Sequence, residues 1–469
     1  MNAPQRMEPE AIEQVIARHI VNTRFEDLPA EAVFATKEHI MHTLATVLAG
    51  SNAPGAPEMM ALLTETGGAE QATVLGWGVK LPASQAAMAN SMMGHAKDFD
   101  NNDDRIAYKS SVCAVPASLA VAERMGATSG RDFLTAACVG IDLGIRLGLA
   151  VQPYPAHSQS PELGPFAAAA SAARLLGCNE DQTWDALGLA LCGVALLGVA
   201  TGGLTYSKRF VAGAASRNGI IAAQLASKGF RARQPVISGP GNFFRGTWKT
   251  EAATSRLLDG LGKRFEVINV GPKGYPSCRY THASIDAALA IAANKDFSVE
   301  AIDSIKVTVG PHDYAHVFGG DAGVARKQVP QSVVDAQFSI PYTVATALVQ
   351  KSVFLDDFTP EAIHRPEIVA VSSRVQPDVR PEMDDWPSDV KPCVVEVTLK
   401  NGKKLSQRID YALGNPKNPV PHDRIRANFV ACAEHAPKKL DCAKVEQARE
   451  MIETLENVKD IRDITRLLS

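Results

Sequence analysis

A chain of 469 residues with 46% apolar and 21% charged side chains is too long for one ordinary core and too apolar for a disordered segment, so two or three folded domains are expected. Its 48 basic and 51 acidic residues leave a formal charge of −3, which excludes a strong electrostatic footprint for nucleic acid or for an anionic membrane surface. Eight scattered cysteines, none at the two- or three-residue separation of zinc and redox motifs, read as reduced thiols of a cytoplasmic protein.

The opening MNAPQRMEPEAIEQ has no apolar run behind a basic start, so no signal peptide is read there. From 9 to 48, apolar positions recur at helical spacing, and Asp27-Leu-Pro-Ala-Glu starts a second helix with proline near its first turn. EQATVLGWGVK (70–80) is a short β-like excursion, and 84–93 resumes a helix rich in Ala and Met. Further helical patterns cover 115–125, 130–150, 165–176, 181–199 and 208–228. Their many small residues predict close backbone packing. The longest apolar run, 186–200, is shorter than the roughly 20 residues of a membrane span and reads as a buried helix. Near Phe265 the texture changes to alternating runs, notably SIKVTV (304–309), VVEVTL (394–399) and 405–409 around the Lys400-Asn401-Gly402-Lys403 turn. Helices intervene at 283–293 and 335–349, and 424–468 returns to helical spacing. The predicted fold is mainly α with an α+β part. Residues 1–268 form a large all-helical domain, 269–411 a smaller α+β domain, and 412–469 a segment that packs back on the helical one.

GHAKDFDNNDD (94–104) crowds six carboxylates or amides and a histidine into one connector, and four aspartates within seven positions repel unless cations or a substrate answer them. A polar connector whose side chains cap the next helix is the plainer alternative. Lys208 and Arg209 stand at a helix start, where a substrate carboxylate is favoured, or else form a solvated helix end. VGPKGYPSCRYTHASID (270–286) gathers Lys273, Cys278, Arg279, Tyr280 and His282, the mixture of base, acid and cation that proton transfer requires. DAQFSIPY (335–342) places Tyr342 after Pro341, as a substrate-bonding hydroxyl or a buried aromatic. Walker A, G-x-G-x-x-G, G-x-S-x-G and H-E-x-x-H signatures are absent, which leaves acid-base work on a small anionic molecule without a bound cofactor or metal.

Six stretches in order, DLPAEAV, GHAKDFDNND, SLAVAERMGATSGRDFLTA, SKRFVAGAASRNGIIAAQLASKGF, KGYPSCRYTHASIDAA and DAQFSIPYTVATAL, resemble the MmgE/PrpD family over nearly the whole chain. That family includes 2-methylcitrate dehydratase, cis-aconitate decarboxylase and iminodisuccinate epimerase. The resemblance implies a helical domain assembled from both chain ends, an inserted lid domain, a homodimer, and a cofactor-independent site in the cleft between domains. Its catalytic aspartate falls on Asp98, its two lysines on Lys208 and Lys273, and its tyrosine on Tyr342. Two positions depart from the dehydratase and decarboxylase pattern: Asn101-Asn102 with Tyr108-Lys109-Ser110 replace Asp-Thr and His-Pro-Ser, and Cys278 replaces the lid histidine, with His282 one turn on. Catalytic roles are thus expected for Asp98, Tyr108, His282, Lys273 and Tyr342, and substrate binding for Lys208, Asn102, Arg279 and Cys278. The leading expectation is a dehydratase-like lyase acting on a small di- or tricarboxylate by proton abstraction. Epimerisation and decarboxylation are alternatives, and a non-catalytic binder would keep the cations but lose the proton-exchanging groups.

Overall fold

The computed structural model describes residues 11–106, 108–151, 160–195, 206–321 and 323–469. The first residues of the N-terminal stretch and the end of the 186–200 run lie outside them. Among the described residues no helix is long and apolar enough to cross a membrane.

Helices dominate the first half. Ile12–Asn22 buries Ile16, Ala17 and Ile20 on one face, and Ala30–Gly50 starts directly after Pro29. Between them and the hairpin of β1 (Ala72–Val74) and β2 (Val79–Leu81) lies a further helix, Ala56–Thr66, which the sequence analysis does not predict. Ala83–His95, Ser111–Met125, Gly130–Leu149, Ser160–Leu175 and Ser207–Ser227 pack on one another. The small residues let them approach as expected: a Cβ on Gly219 would come within 2.6 Å of Ala168 Cβ and of the Pro165 carbonyl.

The later part carries a four-stranded sheet ordered β4 (Val375–Val379), β3 (Ile302–Val309), β5 (Cys393–Leu399) and β6 (Lys404–Ile409). β3 runs parallel to β4 and antiparallel to β5, and Val307 faces both Pro377 and Val395. On β5, Cys393, Val395, Val397 and Leu399 are buried alternately, as one covered face requires. The helix His282–Ala292 lies on β5 and β6 and packs against Ile340–Gln350. The predicted helix 335–349 is two elements, Val333–Gln337 and Ile340–Gln350, because the chain opens at Phe338 and Pro341 starts a new helix capped by Ser339.

Two large apolar cores result, beside a small patch of Val112, Cys113, Ala212 and Ala215. One unites residues from Ile16 to Val270 with Val420 to Leu468, and the other lies between Tyr275 and Ala412. The chain crosses between them beside Gly271 and Gly414, which touch so closely that a Cβ on Gly271 would overlap the Gly414 carbonyl. The crossing strand also pairs with the acidic segment, Asn102 and Gly271 exchanging backbone hydrogen bonds of 3.0 and 3.1 Å.

Candidate active site

The acidic segment leaves the C-terminal end of the helix Ala83–His95 and turns sharply at Asp98, whose φ of 51° is uncommon for a residue with a Cβ. That turn aims the Asp98 carboxylate between two lysines. Lys208, in the first turn of Ser207–Ser227, donates to Oδ1. Lys273, just beyond the crossing at Gly271, donates to Oδ2 at 3.1 Å, to the Asp98 carbonyl at 2.6 Å and to the Ser277 carbonyl at 3.1 Å. All three Lys273 protons are thereby used, whereas Lys208 keeps spare donors, is 23% exposed, and lies 4.9 Å from the Phe338 ring centre. Burial alone would raise the Asp98 carboxyl, but the two ammoniums outweigh it and hold it well below the usual range. Burial works against the Lys208 charge, and Asp98 and Asp100 overcome it, raising Lys208 above its ordinary value.

Beside this triplet stands a second dyad. His95 Nδ1 is 2.8 Å from Asp100 Oδ2, and both side chains are buried. Burial lowers the His95 pKa more than Asp100 raises it, so the ring is neutral, donates from Nδ1, and leaves the Nε2 lone pair.

A chain of hydrogen bonds runs from here into the smaller core. Asn102 accepts from Lys109 Nζ and donates to Asp104 Oδ1 at 2.7 Å. Asp104 takes Arg279 in a two-pronged pair of 2.8 and 2.7 Å and also accepts from Asn415 at 2.8 Å. Arg279 further donates to the Leu413 carbonyl at 2.6 Å and to His282 Nδ1 at 2.9 Å. A guanidinium only donates, so His282 carries its proton on Nε2, 3.3 Å from the Ser277 carbonyl. Burial, then the charges of Arg279 and Lys273, hold His282 well below its ordinary pKa.

Of the nine side chains expected from the sequence, Asp98, Lys208, Lys273, Asn102, Arg279, Cys278 and His282 gather along this network or beside it. Cys278 is buried, and burial followed by the Asp98 charge pushes its thiol up to about 11. Arg279 and Asn102, expected to contact substrate, spend their polar atoms on protein partners. Two residues stand apart. The Tyr108 hydroxyl points into the helical core against Gly144, where a Cβ would come within 2.4 Å of it. Tyr342 lies in the smaller core, donates to the Asp357 carbonyl at 2.5 Å and meets the Phe358 ring. Both are core aromatics rather than members of the cluster. Asp104 and Asp103, at the end of the acidic segment, are buried partners of Arg279 and Arg105.

Sequence reading passed over Lys109 and the pairing of His95 with Asp100. Tyr108 bridges Asp103 in extended backbone, so adjacent side chains point to opposite sides, and the side that faces the aspartates belongs to Lys109. A cleft of 410 Å³ is lined by Lys97 and Arg209, the chain neighbours of Asp98 and Lys208, together with Tyr206, Ser332 and His364. Among the described residues, no group of three or more His, Cys, Asp or Glu side chains converges as a metal cage.

Residues 14–255 match the model of the MmgE/PrpD N-terminal domain, and residues 275–457 match that of the MmgE/PrpD C-terminal domain. A cis-aconitate decarboxylase of Aspergillus terreus is 25% identical over 470 residues, covering 96% of this chain and 94% of its own. The cis-aconitate decarboxylases of Mus musculus and Homo sapiens are each 26% identical, covering 84% of this chain and 80% and 81% of theirs.

Proposed function

Because the chain belongs to the MmgE/PrpD family, we propose that it is a lyase that removes carbon dioxide from a small unsaturated tricarboxylate such as cis-aconitate, using its own side chains and no cofactor. Decarboxylation replaces dehydration as the leading reaction, since the relatives named above are cis-aconitate decarboxylases. The observation that carries the reading is Asp98 held between Lys208 and Lys273 where the two cores meet.

Losing carbon dioxide breaks a carbon–carbon bond and leaves its electron pair on carbon, delocalised toward a neighbouring carboxylate. A fixed cation must receive that charge and a proton must replace the lost group. Lys208 has donors free for a substrate carboxylate, and Asp98 holds it in place. His95 is our choice for proton exchange: Asp100 fixes its ring, and an arriving polyanion raises its proton affinity so that Nε2 can carry a proton to the carbanion. His282, expected in that role, we assign to positioning, as a neutral link between Arg279 and the Ser277 carbonyl. Lys97 and Arg209 in the cleft suit the approach of a polyanion. The homodimer implied by the family is supported by exposed Phe210, Ile221, Leu225 and Phe230 along one surface, and a monomer mass in light scattering would remove it.

The test is incubation with cis-aconitate and a panel of di- and tricarboxylates in deuterium oxide, following carbon dioxide release and the proton spectrum. Carbon dioxide with one deuterium incorporated per turnover is the expected result. An alkene formed without it points to dehydration, exchange without product to epimerisation, and inertness toward every carboxylate ends the enzyme reading.

A further inference from the structure

A third lysine faces this site, and the framework does not use it up. Lys109 is buried, yet among the described residues its ammonium has one hydrogen-bond acceptor, the neutral Asn102 Oδ1, and no carboxylate within 4 Å. Lys273, also buried and in the same cluster, shows what a structural lysine does here, spending all three protons on protein oxygens. Among the described residues the charged groups facing Lys109 are Lys273 from the crossing segment, Lys208 from the helix Ser207–Ser227, and Asp100 and Asp98 from the acidic segment. Both aspartates are already engaged, Asp98 by Lys208 and Lys273 and Asp100 by His95. Among the described residues three ammoniums thus meet two carboxylates, an excess of one positive charge. A buried ammonium without an anion is costly, and a ligand that supplies one is bound the more tightly for it.

We propose that Lys109 is a substrate-binding residue, held by Asn102 so that its two spare N–H groups receive a carboxylate of the substrate. The proposal rests on the carboxylate-lyase reading and adds a residue to it. It also accounts for a tripeptide in which tyrosine and lysine replace the family's histidine and proline: the tyrosine fills a gap against Gly144 while the lysine takes the face toward the substrate. Burial and the Lys273 charge bring the ammonium down to about 8, against the opposing pull of Asp100. Below that pH Lys109 is charged and binds an anion, and above it the amine does not.

The experiment is calorimetric titration of the full chain with tricarballylate, an unreactive tricarboxylate, and with glutarate, at pH values from 6.5 to 9.5. Wild type is expected to bind tricarballylate more tightly than glutarate and to lose affinity above about pH 8. K109M and K109Q are expected to bind tricarballylate about tenfold or more weakly at pH 7, to lose the loss of affinity above pH 8, and to raise KM for the turned-over substrate more than they lower kcat. Their ligand-free melting temperatures should equal or exceed wild type, because the deleted charge had no protein counter-ion. Variants that bind within twofold of wild type with the same pH profile overturn the inference, as do variants that lose binding together with thermal stability. A wild type that neither binds nor converts any carboxylate overturns the functional reading itself, whereas an active wild type matched by K109M overturns this inference alone.

Discussion

Asp98 is the residue on which two cations depend. D98N would leave the Lys208 and Lys273 ammoniums facing one neutral amide, and uncovering a buried pair in this way costs about 3–5 kcal/mol. Denaturant unfolding of D98N should show that loss, and its carbon dioxide release should fall to background. A stable D98N would mean that the lysines find water or another anion. The buried imidazoles set a second expectation. Burial holds His39 and His42 down to about 4, so each is neutral in the fold, with Nε2 donating to the carbonyls of Val267 and Phe99. Their pKa in the unfolded chain is about 6.5, so it takes up protons there before the folded state does. The stabilisation is complete above pH 6.5 and is lost as pH falls toward 4, by about 1.4 kcal/mol per unit for each ring. Melting curves between pH 7.5 and 4.5 should show this fall, and H42N should make it shallower.

At the scale of elements, small residues decide how the helices meet. Gly219 of the helix Ser207–Ser227 packs against the Ser160–Leu175 helix with no space for a side chain, so G219V must push two backbones apart, at a cost of about 2–3 kcal/mol. Thermal unfolding checks this, and an unshifted midpoint would show that the helices can slide. The elements best legible in the sequence were those with an unambiguous period or turn, such as the β5–β6 hairpin around Asn401-Gly402 and the Ser207–Ser227 helix. β4 escaped notice because Val-Gln-Pro-Asp-Val contains a proline, tolerated here because β4 is an edge strand paired only with β3. Ala56–Thr66 escaped because its start reads as a turn, with Gly55 at a φ of 92° and Pro57 in the first turn of the helix.

Across the whole molecule, the pair of Arg279 with Asp104 joins the two cores, and the Asp104 carbonyl also accepts from the Asp389 amide at 2.9 Å. R279M should strand the Asp104 carboxylate, cost about 3–5 kcal/mol, and raise hydrogen exchange at 388–390 and 412–415, on the far side of the junction. Exchange that rises only around His282 would instead make Arg279 a local prop for that ring. Since the acidic segment is rooted in one core and Lys273 and Arg279 in the other, the site exists only where the junction is closed.

The sequence alone was enough for the helical texture, the later sheet and an acidic segment whose charges need partners, while the family resemblance implied that Asp98, Lys208 and Lys273 share one site. The first three follow from period, turn chemistry and the cost of uncompensated charge, which are properties of short stretches. Only the tertiary structure decided that Lys109 rather than Tyr108 faces the aspartates, that Tyr342 is a core aromatic, and that Asp104 holds the junction. Which side of an extended segment is buried depends on what packs against it, and for Tyr108 that is Gly144 on a helix more than thirty residues away.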